Sequence, residues 1–236
     1  MKIYEFNSYG EMSEKAADII ADKIKEKPDS VLGLATGSTP LGIYRRLIEM
    51  YDKGELDFSK VKTYNLDEYI GIPENDPQSY HFFMNENLFR HINVRPENIH
   101  IPNGNAEDID FEGREYDRMI HSLGGADIQI LGIGLDGHIG FNEPGEVFIA
   151  ETHRTALDTS TIKANSRFFA SPNDVPKYAI TMGMYSILAA KKILLVANSE
   201  QKIQVVRKAF SEPVNPKLPA SILQLHKDVT VILSHE

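Results

Sequence analysis

The chain has 236 residues, 42% apolar and 25% charged, the balance of an ordinary globular protein large enough for one substantial α/β core, so residues 1–236 are read as one domain. A formal net charge of −9 argues against a nucleic-acid surface, and the absence of cysteine excludes disulfides, thiol nucleophiles and thiolate metal sites, which fits a cytoplasmic protein. No apolar run reaches the ~18 residues of a membrane span, and the opening MKIYEFNSYGEMSEKAAD alternates polarity as no export signal does.

Strand-like apolar runs alternate with helical periodicity from the first residues onward. Residues 2–6 read as a strand and 11–27 as a helix, then 31–35 as a strand and 41–53 as a helix. Between this second strand and its helix lies Ala35-Thr36-Gly37-Ser38-Thr39-Pro40, where the proline suits a first helical position because its missing N–H would be unpaired there. Hydroxyls and backbone N–H groups at a helix N-terminus make a ready phosphate site. Plain capping of the helix by Ser38 or Thr39 explains the same residues equally well. The segment is not a P-loop, since GxxxxGK[ST] fails.

Residues 61–66 read as the next strand and 79–91 as a helix, with 67–78 lacking clear periodicity. At that strand's end stands Tyr64-Asn65-Leu66-Asp67-Glu68-Tyr69. Paired acids there can include a general base held over a ligand; solvated loop acids are the commonplace alternative. In a parallel sheet this strand end shares a rim with Thr36–Thr39.

A helix over 111–123 and a strand over 127–133 lead into Gly132-Ile133-Gly134-Leu135-Asp136-Gly137-His138-Ile139-Gly140-Phe141-Asn142-Glu143-Pro144-Gly145. Gly132 to Gly137 spell the dinucleotide pattern GxGxxG. That fingerprint requires a helix to open at its end, and a poor helix start follows, so nicotinamide and flavin cofactors are rejected. Asp136, His138 and Glu143 could ligate a metal in principle, but HExxH-type spacing is missing and no metal is expected. A hydrogen-bonded acid–imidazole–acid relay suits the segment better, with a buried structural histidine as the alternative.

Residues 134–176 form the longest stretch without periodicity, a length that in compact domains usually carries function or motion. It includes Ala164-Asn165-Ser166-Arg167-Phe168-Phe169. Strands over 178–182, 193–197 and 229–233 and helices over 187–191 and 200–210 complete the chain. Lys202 falls in the first turn of the last helix, where a cation opposes the helix dipole and a phosphate would relieve the opposition, although for Lys202 and Arg167 alone a solvated surface charge is the commoner explanation. The alternation implies an α/β fold with a mostly parallel, doubly wound sheet in a Rossmann-like three-layer arrangement.

Taken together and in order, the segments at 35–40, 65–69, 136–144, 164–169 and 201–202 resemble the glucosamine-6-phosphate deaminase family, also called glucosamine-6-phosphate isomerases or the NagB family. The related 6-phosphogluconolactonases share Asp136-Gly137-His138, but a Ser-Leu-Phe-Pro type sequence replaces Phe141-Asn142-Glu143-Pro144 there. The resemblance implies deamination of glucosamine 6-phosphate to fructose 6-phosphate and ammonia without a cofactor. It assigns ring opening to His138, its tuning to Asp136 and Glu143, enolisation to Asp67, and phosphate binding to Thr36, Gly37, Ser38, Thr39, Arg167 and Lys202. It also points to the shorter, non-allosteric branch, a monomer or small homo-oligomer rather than a hexamer. A silent sugar-phosphate sensor would leave the four acid–base residues without a use.

Overall fold

The computed structural model describes residues 1–165, 169, 171 and 174–236. In chain order the elements are β1 (Lys2–Phe6), α1 (Tyr9–Glu26), β2 (Val31–Leu34), α2 (Leu41–Asp52), β3 (Lys62–Asn65), β4 (Asp67–Tyr69), α3 (Tyr80–Asn87), β5 (Ile99–His100) and α4 (Ile109–Ser122). They continue with β6 (Ile128–Leu131), β7 (His153–Ala156), α5 (Thr159–Asn165), β8 (Tyr178–Thr181), α6 (Met184–Leu188), β9 (Ile193–Ala197), α7 (Glu200–Ser211) and β10 (Val229–Ser234).

Seven strands pair in the order β1-β10-β9-β6-β2-β3-β5, all parallel. Every residue of β2, β6, β9 and β10 is buried. A strand buried on both faces must be covered on both, which accounts for its largely apolar run and for the helical layers on either side. The helices supply the matching stripes. In α1, Met12, Ala16, Ile20 and Ile24 recur every fourth residue and are buried, behind an N-cap in which Ser8 accepts from the Glu11 N–H.

Strand order runs outward from β2 through β3 to β5 on one side, and from β6 through β9 to β10 on the other. The chain therefore reverses direction between β2 and β6. At such a switch point the loops leaving the two strands diverge and open a crevice.

Beside the expected parallel sheet stands a second, smaller one of three strands. Residues 67–78 show no clear periodicity in sequence, yet Asp67 to Tyr69 form β4, which pairs antiparallel with β8 and, through it, with β7. The strand near 178 thus leaves the parallel sheet for this smaller one, where Tyr69, Phe141, Leu157 and Ala179 form a separate apolar cluster. The helix expected over 187–191 lies earlier, at Met184–Leu188. Pro40 is the N-cap of α2 rather than its first helical residue, and no side chain at that cap makes the capping hydrogen bond.

Candidate active site

A cavity of about 420 Å³ occupies the switch point. Thr36 to Thr39 after β2, Leu66 and Asp67 after β3, Gly132 to Asp136 with His138 after β6, and Ser199, Gln201 and Lys202 around the start of α7 all line it. Four sequence-distant strand ends meet because parallel strands carry all their carboxyl ends to one rim.

On one wall the turn after β2 forms a cradle. Gly37 adopts φ +92°, a left-handed conformation that a side chain would strain. The helix that follows is capped from a distance: the Tyr9 hydroxyl of α1 accepts the Gly42 N–H at 2.7 Å and lies 3.1 and 3.0 Å from the carbonyls of Ser38 and Thr39. The capping that sequence offered to Ser38 or Thr39 thus falls to Tyr9. Thr39 instead donates to Asn198 Oδ1 at 2.8 Å, with Lys202 Nζ 3.5 Å from its hydroxyl, so it braces the β2 turn against the β9 turn. Ser199 caps α7 by accepting the Lys202 N–H. Arg167 lies outside the described residues.

Asp67 stands where the chain passes from the parallel sheet to the small one, with Leu66 accepting the Met182 N–H at 2.7 Å. Its carboxyl is buried, and burial first, then the neighbouring charge of Glu68, pushes its pKa up to about 8 against the opposing pull of His138. Glu68 has a different task. Its Oε1 accepts the N–H groups of Tyr69 and Tyr80 at 2.8 and 2.9 Å, and its Oε2 accepts the His81 N–H at 3.0 Å and faces His81 Nδ1 at 2.9 Å. An anion at a helix N-terminus satisfies otherwise orphaned donors, so Glu68 pins the start of α3. That pin sets Tyr80 into the cavity wall, near parallel to Phe141 at a centroid distance of 6.0 Å.

The third wall is the glycine-rich turn. No helix follows Gly137, which removes the structural basis of the dinucleotide pattern. Gly134 admits the imidazole: a Cβ there would stand 2.3 Å from His138 Cε1. Asp136 Oδ1 accepts the His138 N–H at 3.1 Å and lies 2.8 Å from the ring Nδ1, with Glu143 Oε2 at 3.4 Å from the same nitrogen. Nδ1 thus sits in the field of both acids. Burial works to lower the imidazole pKa, but the two acids outweigh it and raise it to about 9. Burial likewise works to raise Asp136, yet the bond to and charge of His138 hold it down at about 2. With Nδ1 turned to the acids, Nε2 is the nitrogen left for the cavity. Glu143 does not line the cavity; its Oε1 accepts from Thr161 at 2.7 Å.

Asp136, His138 and Glu143 offer donor atoms within 4.8 Å of one another, a set able to hold a metal ion. Sequence reasoning missed Tyr9, Tyr80, Asn198 and Thr161, because each acts through a contact far along the chain and none sits in a recognisable motif.

Fold and site define an α/β protein with a cavity at its sheet switch point, lined by Asp67 and His138 and by the turn after β2. The chain belongs to the glucosamine-6-phosphate isomerase/6-phosphogluconolactonase family, whose model matches residues 7–232. A glucosamine-6-phosphate deaminase of Thermoanaerobacter sp. (strain X514) is 55% identical over 236 residues, all of this chain and 93% of the relative. That of Lachnoclostridium phytofermentans is also 55% identical, over the full length of both. A solved monomeric glucosamine-6-phosphate deaminase superposes with a TM-score of 0.96 at 50% identity, covering 99% of this chain and 97% of its own. The 6-phosphogluconolactonase of Thermotoga maritima, at 23% identity and a TM-score of 0.77 over 100% of this chain and 99% of its own, shares the fold.

Proposed function

We propose that the protein converts glucosamine 6-phosphate to fructose 6-phosphate and ammonia, with residues 1–236 acting as one catalytic domain. The observation that carries this reading is the pairing of two proton-transfer groups in one cavity, His138 at a pKa of about 9 and Asp67 at about 8. Both lie close enough to neutrality to give and take protons. Ser38, Gly37 and Thr36 with Lys202 receive the phosphate at the α2 end, a local basic contact within an acidic protein.

The closed sugar ring must open first. Imidazolium at His138 gives a proton to the ring oxygen, the bond from that oxygen to carbon 1 breaks, and the neutral imidazole takes the proton of the anomeric hydroxyl. Asp136 and Glu143 stabilise the charged ring and fix its orientation, as the third group of a triad does. The aldehyde then acidifies the proton on carbon 2. Asp67, as carboxylate, removes it while imidazolium at His138 gives a proton to the carbonyl oxygen; the substrate ammonium then returns a proton to the neutral imidazole, Asp67 delivers its proton to carbon 1, and the freed nitrogen pair forms the carbon 2–nitrogen double bond of a protonated ketimine. Water adds to carbon 2 and ammonia leaves. A protonated amine beside carbon 2 favours the ionised form of Asp67, so substrate itself helps ready the base.

Two coarser expectations join this reading. Among the described residues no helix is long and apolar enough to cross a membrane; we take the enzyme to act in the cytoplasm as a monomer, in line with the monomeric deaminase it resembles. The test is to follow ammonia and fructose 6-phosphate from purified protein and glucosamine 6-phosphate, with 6-phosphogluconolactone assayed in parallel. Ammonia release without lactone hydrolysis is expected; good lactone hydrolysis without ammonia overturns the proposal.

A further inference from the structure

We infer that Thr161 is a positioning residue for His138, acting through Glu143, so that helix α5 is wired to the proton-transfer group instead of serving only as cavity wall; this rests on the deaminase reading above. Thr161 is 4% exposed and lines the cavity, while Glu143 does not. Its hydroxyl donates to Glu143 Oε1 at 2.7 Å, and the Asp158 N–H lies 3.4 Å from the same oxygen. The other oxygen of that carboxylate, Oε2, stands 3.4 Å from His138 Nδ1. Glu143 is therefore a bridge, held at one oxygen by the start of α5 and presenting the other to the imidazole.

Thr161 is the third residue of α5 and lies in its first turn. Here the proton goes to a side chain 18 residues away, across the cavity wall. Hydrogen bonds to a charged acceptor are the strong, directional kind, and a carboxylate anchored at one oxygen keeps the other aimed. The group that Glu143 tunes takes part in ring opening, so loss of the anchor acts on that step and leaves phosphate and sugar contacts in place.

The experiment begins with the unaltered enzyme: no ammonia from glucosamine 6-phosphate refutes the deaminase reading itself, before Thr161 is touched. Given activity, Thr161→Val lowers kcat roughly ten-fold with KM within about two-fold, the loss of one charged hydrogen bond, and Thr161→Ser restores it. Interconversion of the substrate's anomers, followed by NMR in an Asp67→Asn background, needs ring opening alone and slows when Thr161→Val is added. In a Glu143→Gln background Thr161→Val adds no further loss, because the bridge is already broken. Wild-type kcat in Thr161→Val, a Thr161→Ser variant as impaired as the valine, or full additivity with Glu143→Gln overturns the inference. Should the valine variant fail to fold, the serine variant and the anomer measurement on Glu143→Gln decide: slow anomer exchange with serine at wild-type rate supports the bridge, and unchanged exchange in Glu143→Gln removes it.

Discussion

Asp67 and His138 face the same cavity, and opposite causes bring their proton affinities close together. Asp67 rises to about 8 chiefly because burial penalises its charge, with Glu68 adding repulsion. His138 rises to about 9 although burial opposes it, because two carboxylates stand at its Nδ1. One site is tuned by the absence of water and the other by the presence of charge. A carboxyl raised by desolvation depends on the packing of the seam between the two sheets, whereas an imidazole raised by charge depends on a few side chains of one turn. The two should therefore fail differently when altered.

The largest effect is expected from Asp67→Asn. Removing a positioned base typically forfeits about 10²–10⁴ in rate, so ammonia release should fall by that order while substrate still binds. Exchange of the carbon 2 proton with deuterated solvent, read by NMR, should disappear; exchange at the wild-type rate clears Asp67 of the role. The same variant sharpens the desolvation argument through stability. A native pKa of about 8 against a model value of 3.8 means that folding holds the proton more tightly, so Asp67 loses the protein stability as pH rises from about 4 to about 8. Asp67→Asn should flatten that part of the melting-temperature profile.

Next in size is the cradle. Lys202→Gln removes a charge at the proposed phosphate end and should raise KM by roughly ten-fold with kcat little changed, the signature of lost binding that is uniform along the reaction. Inorganic phosphate should inhibit the variant less than the parent. An unchanged KM would place the phosphate elsewhere.

The pH profile divides the two tuned groups. If ionised Asp67 and protonated His138 are both required, kcat/KM rises through about 8 and falls through about 9, a narrow bell. Glu143→Gln takes away a negative charge that raises His138, so the falling limb should move to lower pH and leave the rising limb in place. A shift of both limbs together would mean that the two sites are not separately tuned.

The smallest catalytic effect is expected from Glu68→Gln. Four contacts from Tyr69, Tyr80 and His81 converge on its carboxylate, and an amide can accept at one end only, so unfolding in urea should show a loss of about 1–3 kcal/mol. Because Glu68 also pushes Asp67 up, the rising limb of kcat/KM should move to lower pH. Unaltered stability would contradict its role as the pin of α3.

Much of this site was legible along the chain because its parts sit next to strands whose apolar runs are unmistakable. Thr36 to Thr39, Asp67, Asp136 and His138 follow strand ends, and parallel strands deliver such residues to a common rim whatever their separation in sequence, whereas Lys202 stood out only through the family resemblance. The small antiparallel sheet was not legible. β4 has three residues and β7 alternates exposed positions, so neither offers a run long enough to stand out. The division of Asp67 from Glu68 was equally hidden. Adjacent strand residues point to opposite faces, but which face holds a cavity and which a helix N-terminus depends on where α3 docks.

By itself, then, the order of residues determined the doubly wound parallel sheet, the rim on which chemistry collects and the acid–imidazole–acid turn, since these follow from local periodicity and from neighbours within a few positions. Tertiary structure decided which carboxylate is dry, which hydroxyl caps α2 and which threonine holds Glu143. Those outcomes rest on burial and on contacts between distant segments, quantities that come into being only when the chain has folded.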